Sequence, residues 1–246
     1  MDLEQVKSKM RDIGRCDDAQ YVEDDYNSLS EKKEIEISIR RPSLDKAEER
    51  LRLGELTLAI RQVYLHRAIK LFEGSYDALL KDNVYLMALA IRGHLETTAA
   101  LGYLHNRLSS FKKGNISLEV LAKDMASLIM GTGDEDLPTE GYEDVSKPKN
   151  VMMMLDYVDK SFSKQIGGTT KEHEFLRDSY QHLCEFSHPN FHSNKMGYEI
   201  DKERKVFVIM HDKGLPKESF FIIGYLSIST SAFLSFFEDI DNLLPT

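Results

Sequence analysis

The chain contains 246 residues, of which 41% are hydrophobic and 30% are charged, so it is long enough for one large domain with a real core. Its net charge of −9 argues against a protein that holds duplex nucleic acid, because such proteins usually show the phosphates a basic face. We therefore expect no stable binding of duplex DNA, although a local cleft can still be positive. The cysteines Cys16 and Cys184 form no Cys-x-x-Cys pair, which excludes a zinc ribbon and a disulfide framework.

The two ends of the sequence bear on the location of the protein. The first residues carry acids and no apolar core, so we expect no secretory signal and a cytoplasmic protein. The uncharged run 220–237 approaches the length that spans a bilayer. Five hydroxyl side chains interrupt this run, which favours a helix buried among other helices, and we expect no membrane partner. These are Ser227, Ser229, Thr230, Ser231 and Ser235.

The predicted elements begin with residues 1–32, which we interpret as a partly flexible N-terminal arm. Within it, residues 1–13 predict a short charged helix, and residues 14–32, which are rich in Asp, Glu, Asn and Ser, predict a mobile arm or loop. Residues 33–246 are predicted to form a single helical domain. Its first element is a half-buried strand at 34–40, because three isoleucines alternate there with polar residues.

Helical periodicity dominates the rest of the chain. It predicts a helix from Ser43 to about Phe72, with Gly74 and Ser75 bending or ending it, and a second long helix that begins at Asp82. Later helices are predicted at 117–130, at 151–165, from a cap at Thr170 to the stop at Pro189, and from Pro216 through the centre of the bundle.

Two other segments complete the predicted fold. The sequence predicts a long acidic loop at residues 131–150, either ordered or disordered, and short strands at residues 198–200 and 206–210 that residues 34–40 can join. The sequence thus predicts a mainly α fold, a multi-helix bundle with a small antiparallel β element.

The segment from Tyr180 to His192 is the most polar candidate site, with three histidines and a cysteine in thirteen residues. On a helix His182 pairs with Glu185, whereas Cys184 pairs with His188 on a different face. Because zinc needs about four converging ligands, we expect no metal here, and nothing else in the sequence implies a cofactor. An alternative role for His188 is to stabilise the free carbonyls at the end of the helix.

Two other groups of residues suggest chemistry. Arg177 and His182 follow the pattern Arg-x4-His, in which arginine holds a phosphate and imidazole moves a proton, a combination that can cleave RNA without a metal. About one such pair is expected by chance, and Arg61 with His66 is a second. Arg92 and Glu96 share one face of an otherwise apolar helix, so we expect them to point inward, towards the segment 180–190.

Two motifs together resemble a known group of proteins. The motifs are Ala90-Ile-Arg92-Gly-His-Leu-Glu96 and Tyr180-x-x-Leu-Cys-Glu-Phe-Ser-His188-Pro-Asn190. They resemble a family of bacterial helical proteins that is similar to the HEPN superfamily, whose members include RNA-cleaving toxins and antiphage proteins.

The resemblance covers roughly residues 55–240 and implies a helical bundle that dimerises, with arginine and histidine near the interface. It implies that Arg177 and His182 match the active branch, and that Arg92, Glu96, Tyr180 and His188 match the branch of unknown activity. The active motif usually has a polar residue just after the arginine; Asp178 can fill that position, but it also adds negative charge beside the phosphate site.

Two functions follow as hypotheses. In the first, the protein binds a nucleotide or an RNA phosphate through Arg92, Glu96, Tyr180 and Asn190, and cleaves RNA without a metal. The catalytic residues are then His182, His188 and Arg177, and a homodimer is the expected assembly. In the second, the protein is a non-catalytic interaction or scaffold protein, and the same polar cluster only joins helices.

Overall fold

A computed structural model describes residues 1–131, 148–165, 174–211 and 221–245; for residues 162–165 and 192 only the backbone is described. These residues form nine α-helices and one two-stranded sheet, which confirms the mainly α bundle with a small antiparallel β element. The helices are α1 (Leu3–Asp12), α2 (Cys16–Ser30), α3 (Lys46–Leu80), α4 (Val84–Lys112), α5 (Leu118–Met130), α6 (Val151–Gln165), α7 (Phe175–Ser187), α8 (Phe191–Lys195) and α9 (Ile223–Asp239).

The N-terminal segment differs from its prediction, because residues 16–30 form helix α2 rather than a loop. Ala19, Val22 and Leu29 are buried on one face of this helix, at spacings of three and seven residues. Their apolar face packs against α9 and α3, which offsets the cost of ordering an acidic segment. Residues 14–32 are mostly polar, but their few buried apolar residues follow the spacing of a helix, so the prediction of a loop was wrong.

The predicted strand at 34–40 was also wrong, since these residues adopt no regular structure. Ile35 is 98% exposed, and Ile39 is exposed as well. Side chains of α3 bind this segment instead, since the Gln62 side chain accepts a hydrogen bond from the N–H of Glu34 and donates one to the carbonyl of Lys32. Alternation of apolar residues makes a strand only where a sheet edge is available, and among the described residues the two strands of the hairpin pair only with each other.

Helices α3 and α4 form the long central pair. α3 runs without a break through Gly74 and Ser75, and its N-terminus is capped by the Asp45 side chain rather than by Ser43. Asn83, one residue after the predicted Asp82, caps α4. α4 packs against α3, α5, α6, α7 and α9, so α4 occupies the centre that the sequence assigned to the last helix.

The remaining predicted helices and the hairpin are present in the structure, although α7 begins at Phe175, with Glu174 as its N-cap, rather than just after Thr170. Ser117 caps α5, α6 begins at Val151, and His188 is the C-cap of α7 just before Pro189. Strands β1 (Tyr198–Asp201) and β2 (Val206–Ile209) form the antiparallel pair.

Some predicted features lie outside the described residues. They are the part of the acidic loop at 132–147, the cap at Thr170 and the helix start at Pro216. Across the described ranges, no helix combines the length and the apolar character needed to cross a membrane.

Candidate functional site

Three of the predicted ligand-binding side chains meet where α4 crosses α7. Arg92 and Glu96 lie one turn apart on α4, and the Nε of Arg92 donates to Glu96 Oε1 at 3.2 Å. Arg92 Nη2 donates to the hydroxyl of Tyr180 on α7 at 2.9 Å, and that hydroxyl donates to the same Glu96 oxygen at 3.2 Å. We call this closed triangle of hydrogen bonds the Arg92 cluster.

The Arg92 cluster lies at the protein surface rather than in the core. The side chains of Arg92 and Glu96 are 24% and 33% exposed, so water reaches both charges. The guanidinium stacks over the ring of Tyr180 with 5.0 Å to its centroid, a cation–π contact that fixes its plane. Two N–H groups of Arg92 are used by its partners, and among the described residues none accepts from Nη1.

The protonation of the Arg92 cluster follows from its surroundings. Burial lowers the pKa of Arg92, but the hydrogen bond with Tyr180 and the nearby acidic groups outweigh it, so the net shift is upward. Burial raises the pKa of Tyr180, against the opposing effect of Arg92. At neutral pH the cluster therefore consists of a guanidinium, a carboxylate and a neutral phenol that donates to the carboxylate.

Two residues beside the Arg92 cluster were missed by the sequence analysis. Leu89 and Tyr85 lie three and seven residues before Arg92, on the same face of α4, and both are exposed. The hydroxyl of Tyr85 donates to the carbonyl of Ser193 in α8, which fixes α8 beside α4. Their spacing from Arg92 could have predicted that they share its helix face. Together they form an apolar strip next to the guanidinium of Arg92.

Arg177 and His182 are both on α7 but contact different helices. Arg177 Nη1 donates to Asp156 of α6 at 2.6 Å. His182 Nδ1 lies 3.0 Å from the hydroxyl of Tyr225 in α9, and its ring stacks on Phe221 with centroids 5.0 Å apart. Five residues of helix separate their directions by about 140°. The Arg-x4-His pair is therefore not brought together within one chain.

His188 and Asn190 lie at the far end of α7. His188 is exposed, and among the described residues no hydrogen bond joins its ring to the Arg92 cluster. It follows Tyr180 by eight residues, which places it about 12 Å further along the helix axis. The side chain of Asn190 caps α8 and donates to Glu185, so its groups serve the local turn.

A buried polar network was also missed by the sequence analysis. His94, on the opposite side of α4 from Arg92, is completely buried, and its Nδ1 lies 2.8 Å from the hydroxyl of Ser229 in α9. Thr98 completes the network at 2.9 Å from the same hydroxyl. Burial lowers the pKa of His94 to about 3, so the imidazole is neutral.

A cleft of about 790 Å³ lies far along α4 from the Arg92 cluster. It includes Lys46, Arg50 and Lys112, with Glu119 and Asp241 supplying opposite charge. Arg50 stacks over Phe111 in this cleft, and Lys112 donates to the carbonyl of Asn242, so these two cations already have partners. The Arg92 cluster is the candidate site because three of the predicted functional side chains, from two helices, meet there.

Across residues 1–131, 148–165, 174–211 and 221–245, no group of three or more His, Cys, Asp or Glu side chains is placed to hold a metal ion. No family model, no curated protein and no solved structure matches the chain.

Proposed function

We propose that this chain is a HEPN-like helical protein that binds the phosphate of a nucleotide or of single-stranded RNA at the Arg92 cluster. The observation that carries the proposal is a guanidinium held in one plane by Glu96 and Tyr180, with donors left over and about a quarter of its side chain open to water. A cytoplasmic location, where such ligands occur, goes with this proposal.

The chemistry of the Arg92 cluster suits a phosphate ester. A fixed guanidinium offers parallel N–H donors to phosphate oxygens, and fixing it in advance lowers the entropy lost on binding. The exposed strip of Leu89 and Tyr85 provides an apolar surface for a sugar or base beside the phosphate. Glu96 offsets part of the positive charge, so we expect modest affinity, with a dissociation constant on the order of 10–100 µM.

Cleavage of the bound RNA without a metal is the stronger form of this proposal, and His188 is then its acid or base. Among the three residues predicted as catalytic, Arg177 and His182 are committed to α6 and α9, whereas His188 is exposed on the same helix as Tyr180. A proton donor must come within about 3 Å of the reacting group. Because about 12 Å separates the two along α7, His188 would act on a different phosphate of the same strand from the one that Arg92 holds.

Binding is tested by fluorescence polarisation with a labelled single-stranded RNA and with a fluorescent ATP analogue. We expect Arg92→Gln to weaken binding by about tenfold or more, because it removes a charge-assisted hydrogen bond. Glu96→Gln is expected to tighten binding, because it removes a negative charge beside the phosphate. The matched control is Arg41→Gln, an exposed arginine outside the Arg92 cluster. Equal affinities for wild type and Arg92→Gln contradict the proposal.

Cleavage is tested separately, with RNA incubated in the presence and absence of EDTA. We expect EDTA to have no effect, His188→Ala to abolish cleavage, and His182→Ala to retain most of it. If RNA binds but is not cut, the binding proposal stands and the ribonuclease proposal fails. Loss of cleavage in His182→Ala with His188→Ala fully active contradicts the assignment of His188.

A scaffold protein is the second candidate, and the closed triangle of hydrogen bonds supports it. Arg92, Glu96 and Tyr180 satisfy one another across the α4–α7 contact, as a purely structural cluster does. In that case, Arg92→Gln lowers the free energy of unfolding while neither probe binds the wild type. Stability and binding measured on the same variant therefore separate the two functions.

A further inference from the structure

We infer that the β1–β2 hairpin carries a homodimer interface, in which one apolar face packs against the same face of a second copy of this chain. This inference is independent of the ligand at the Arg92 cluster, because it rests on a different part of the surface.

The register of the hairpin sorts its side chains into two unlike faces. Residues directly opposite each other point to the same side, and successive residues alternate. One face therefore carries Tyr198 with Ile209 and Ile200 with Phe207, and it has no charge. We call these four residues the apolar hairpin face. The other face carries Glu199 and Asp201 opposite two valines, so it suits solvent.

The apolar hairpin face is open in the single chain. Ile200, Phe207 and Ile209 are 57%, 65% and 57% exposed, so none of the described segments covers them well. A two-stranded hairpin alone is marginally stable in water, and it normally needs a packed apolar face. The ring of Tyr198 meets that of Phe207 edge-on at 5.0 Å, which orders the face but leaves most of its area exposed.

The size and chemistry of this face fit a second copy. Phe191 of α8 lies beside β1 across a small cavity of about 340 Å³ and is 66% exposed, so it extends the patch. With typical side-chain areas, the patch exposes roughly 500 Å² per chain, and two patches together reach roughly 1,000 Å², the lower limit for a specific interface. The apolar hairpin face has no charge, so a two-fold contact places it on itself without repulsion, and the Lys195 ammonium, 5.9 Å from the centre of the Phe191 ring, is an exposed charge beside it.

The two faces also decide which partner geometry is favoured. If β2 paired edge to edge with a second β2, the apolar hairpin face would stay exposed on the widened sheet, because antiparallel pairing keeps equivalent faces on one side. Packing face on face covers it in both copies at once. The acidic residues Glu199 and Asp201 then point away from the interface into water.

The test is sedimentation velocity of the full chain from 1 to 200 µM, with circular dichroism as the check of folding. We expect the mass to rise from 28.3 kDa towards twice that value, with a dissociation constant on the order of 10 µM. Phe207→Thr keeps a residue that favours strands and should weaken the dimer by about tenfold or more. Val208→Thr, the next residue on the opposite face, is the matched control and should leave the dimer unchanged.

Each other outcome overturns the inference. A wild type that stays monomeric at 200 µM means that no second copy covers the face. A dimer that survives in Phe207→Thr lies elsewhere on the molecule. Equal weakening by Phe207→Thr and Val208→Thr indicates edge pairing, and growth beyond a dimer indicates an open assembly rather than a closed two-fold pair.

Discussion

Replacing the buried His94 by glutamine should remove a specific part of the dependence of stability on pH. His94 is completely buried against Ser229 and Phe233, and burial lowers its pKa from an ordinary 6.5 to about 3. Below pH 6.5 the imidazole of His94 therefore binds a proton in the unfolded chain but not in the folded chain. The contribution of His94 is complete above pH 6.5 and is lost progressively as the pH falls towards 3.

The magnitude follows from the unfolded pKa alone over most of this range. A pH of 5 is about 1.5 units below the pKa of the imidazole in the unfolded chain. Protonation of the unfolded chain therefore lowers the free energy of unfolding by about 2 kcal/mol relative to pH 7. The value holds for any folded pKa well below 5. A loss of about 2 kcal/mol lowers the urea midpoint by roughly 0.5–1 M.

Two carboxyl groups, the half-buried Asp25 and the buried Asp159, act with the opposite sign, so the wild type alone is not informative. Burial raises the pKa of both Asp25 and Asp159 to about 6. Each then binds a proton in the folded state before it does so in the unfolded state, which adds stability as the pH falls from above 6 towards 4. Comparison of wild type with His94→Gln at the same two pH values cancels these contributions.

The assay is urea unfolding of wild type, His94→Gln and His66→Gln at pH 7 and pH 5. Glutamine keeps a polar group near Ser229 and does not titrate, and His66 is an exposed histidine that serves as the control. We expect the wild type and the control to lose about 2 kcal/mol more than His94→Gln between the two pH values. Equal losses in all three proteins would refute the assignment of a neutral buried His94.

Three substitutions test the packing that positions the Arg92 cluster, each by urea unfolding at pH 7. Gly102→Ala places a methyl group 2.3 Å from Val158 of α6, so we expect a loss of about 1–3 kcal/mol, and wild-type stability would contradict this contact between α4 and α6. Asp159→Ala removes the carboxylate that caps α7 from α6 and should cost about 1–2 kcal/mol; an unchanged midpoint would mean that α7 needs no cap. Asp124→Asn leaves Arg107 without its carboxylate partner at 2.6 Å, with an expected loss of about 3 kcal/mol, and a loss below 0.5 kcal/mol would show that water replaces the pair.

The sequence predicted the polar contacts of the site only in part. The four-residue spacing of Arg92 and Glu96 on an apolar helix indicated a pair facing another helix, and the structure places Tyr180 against it. Arg177 and His182 looked like a pair because they are close in sequence, yet their five-residue spacing points them to different neighbours. No local sequence pattern predicted that His188 lies far from the Arg92 cluster.

What the sequence determined by itself is the set of strongly periodic elements: the helices from α3 to α7 and the hairpin, because their apolar spacing and capping residues are local properties. Tertiary structure decided the rest. Residues 16–30 are helical because α3 and α9 offer an apolar surface to three buried side chains, and residues 34–40 form no strand because the described part of the chain places no sheet edge beside them. Tertiary structure also buried His94 and left the apolar hairpin face open, since burial depends on which helices become neighbours and a local pattern does not contain that information.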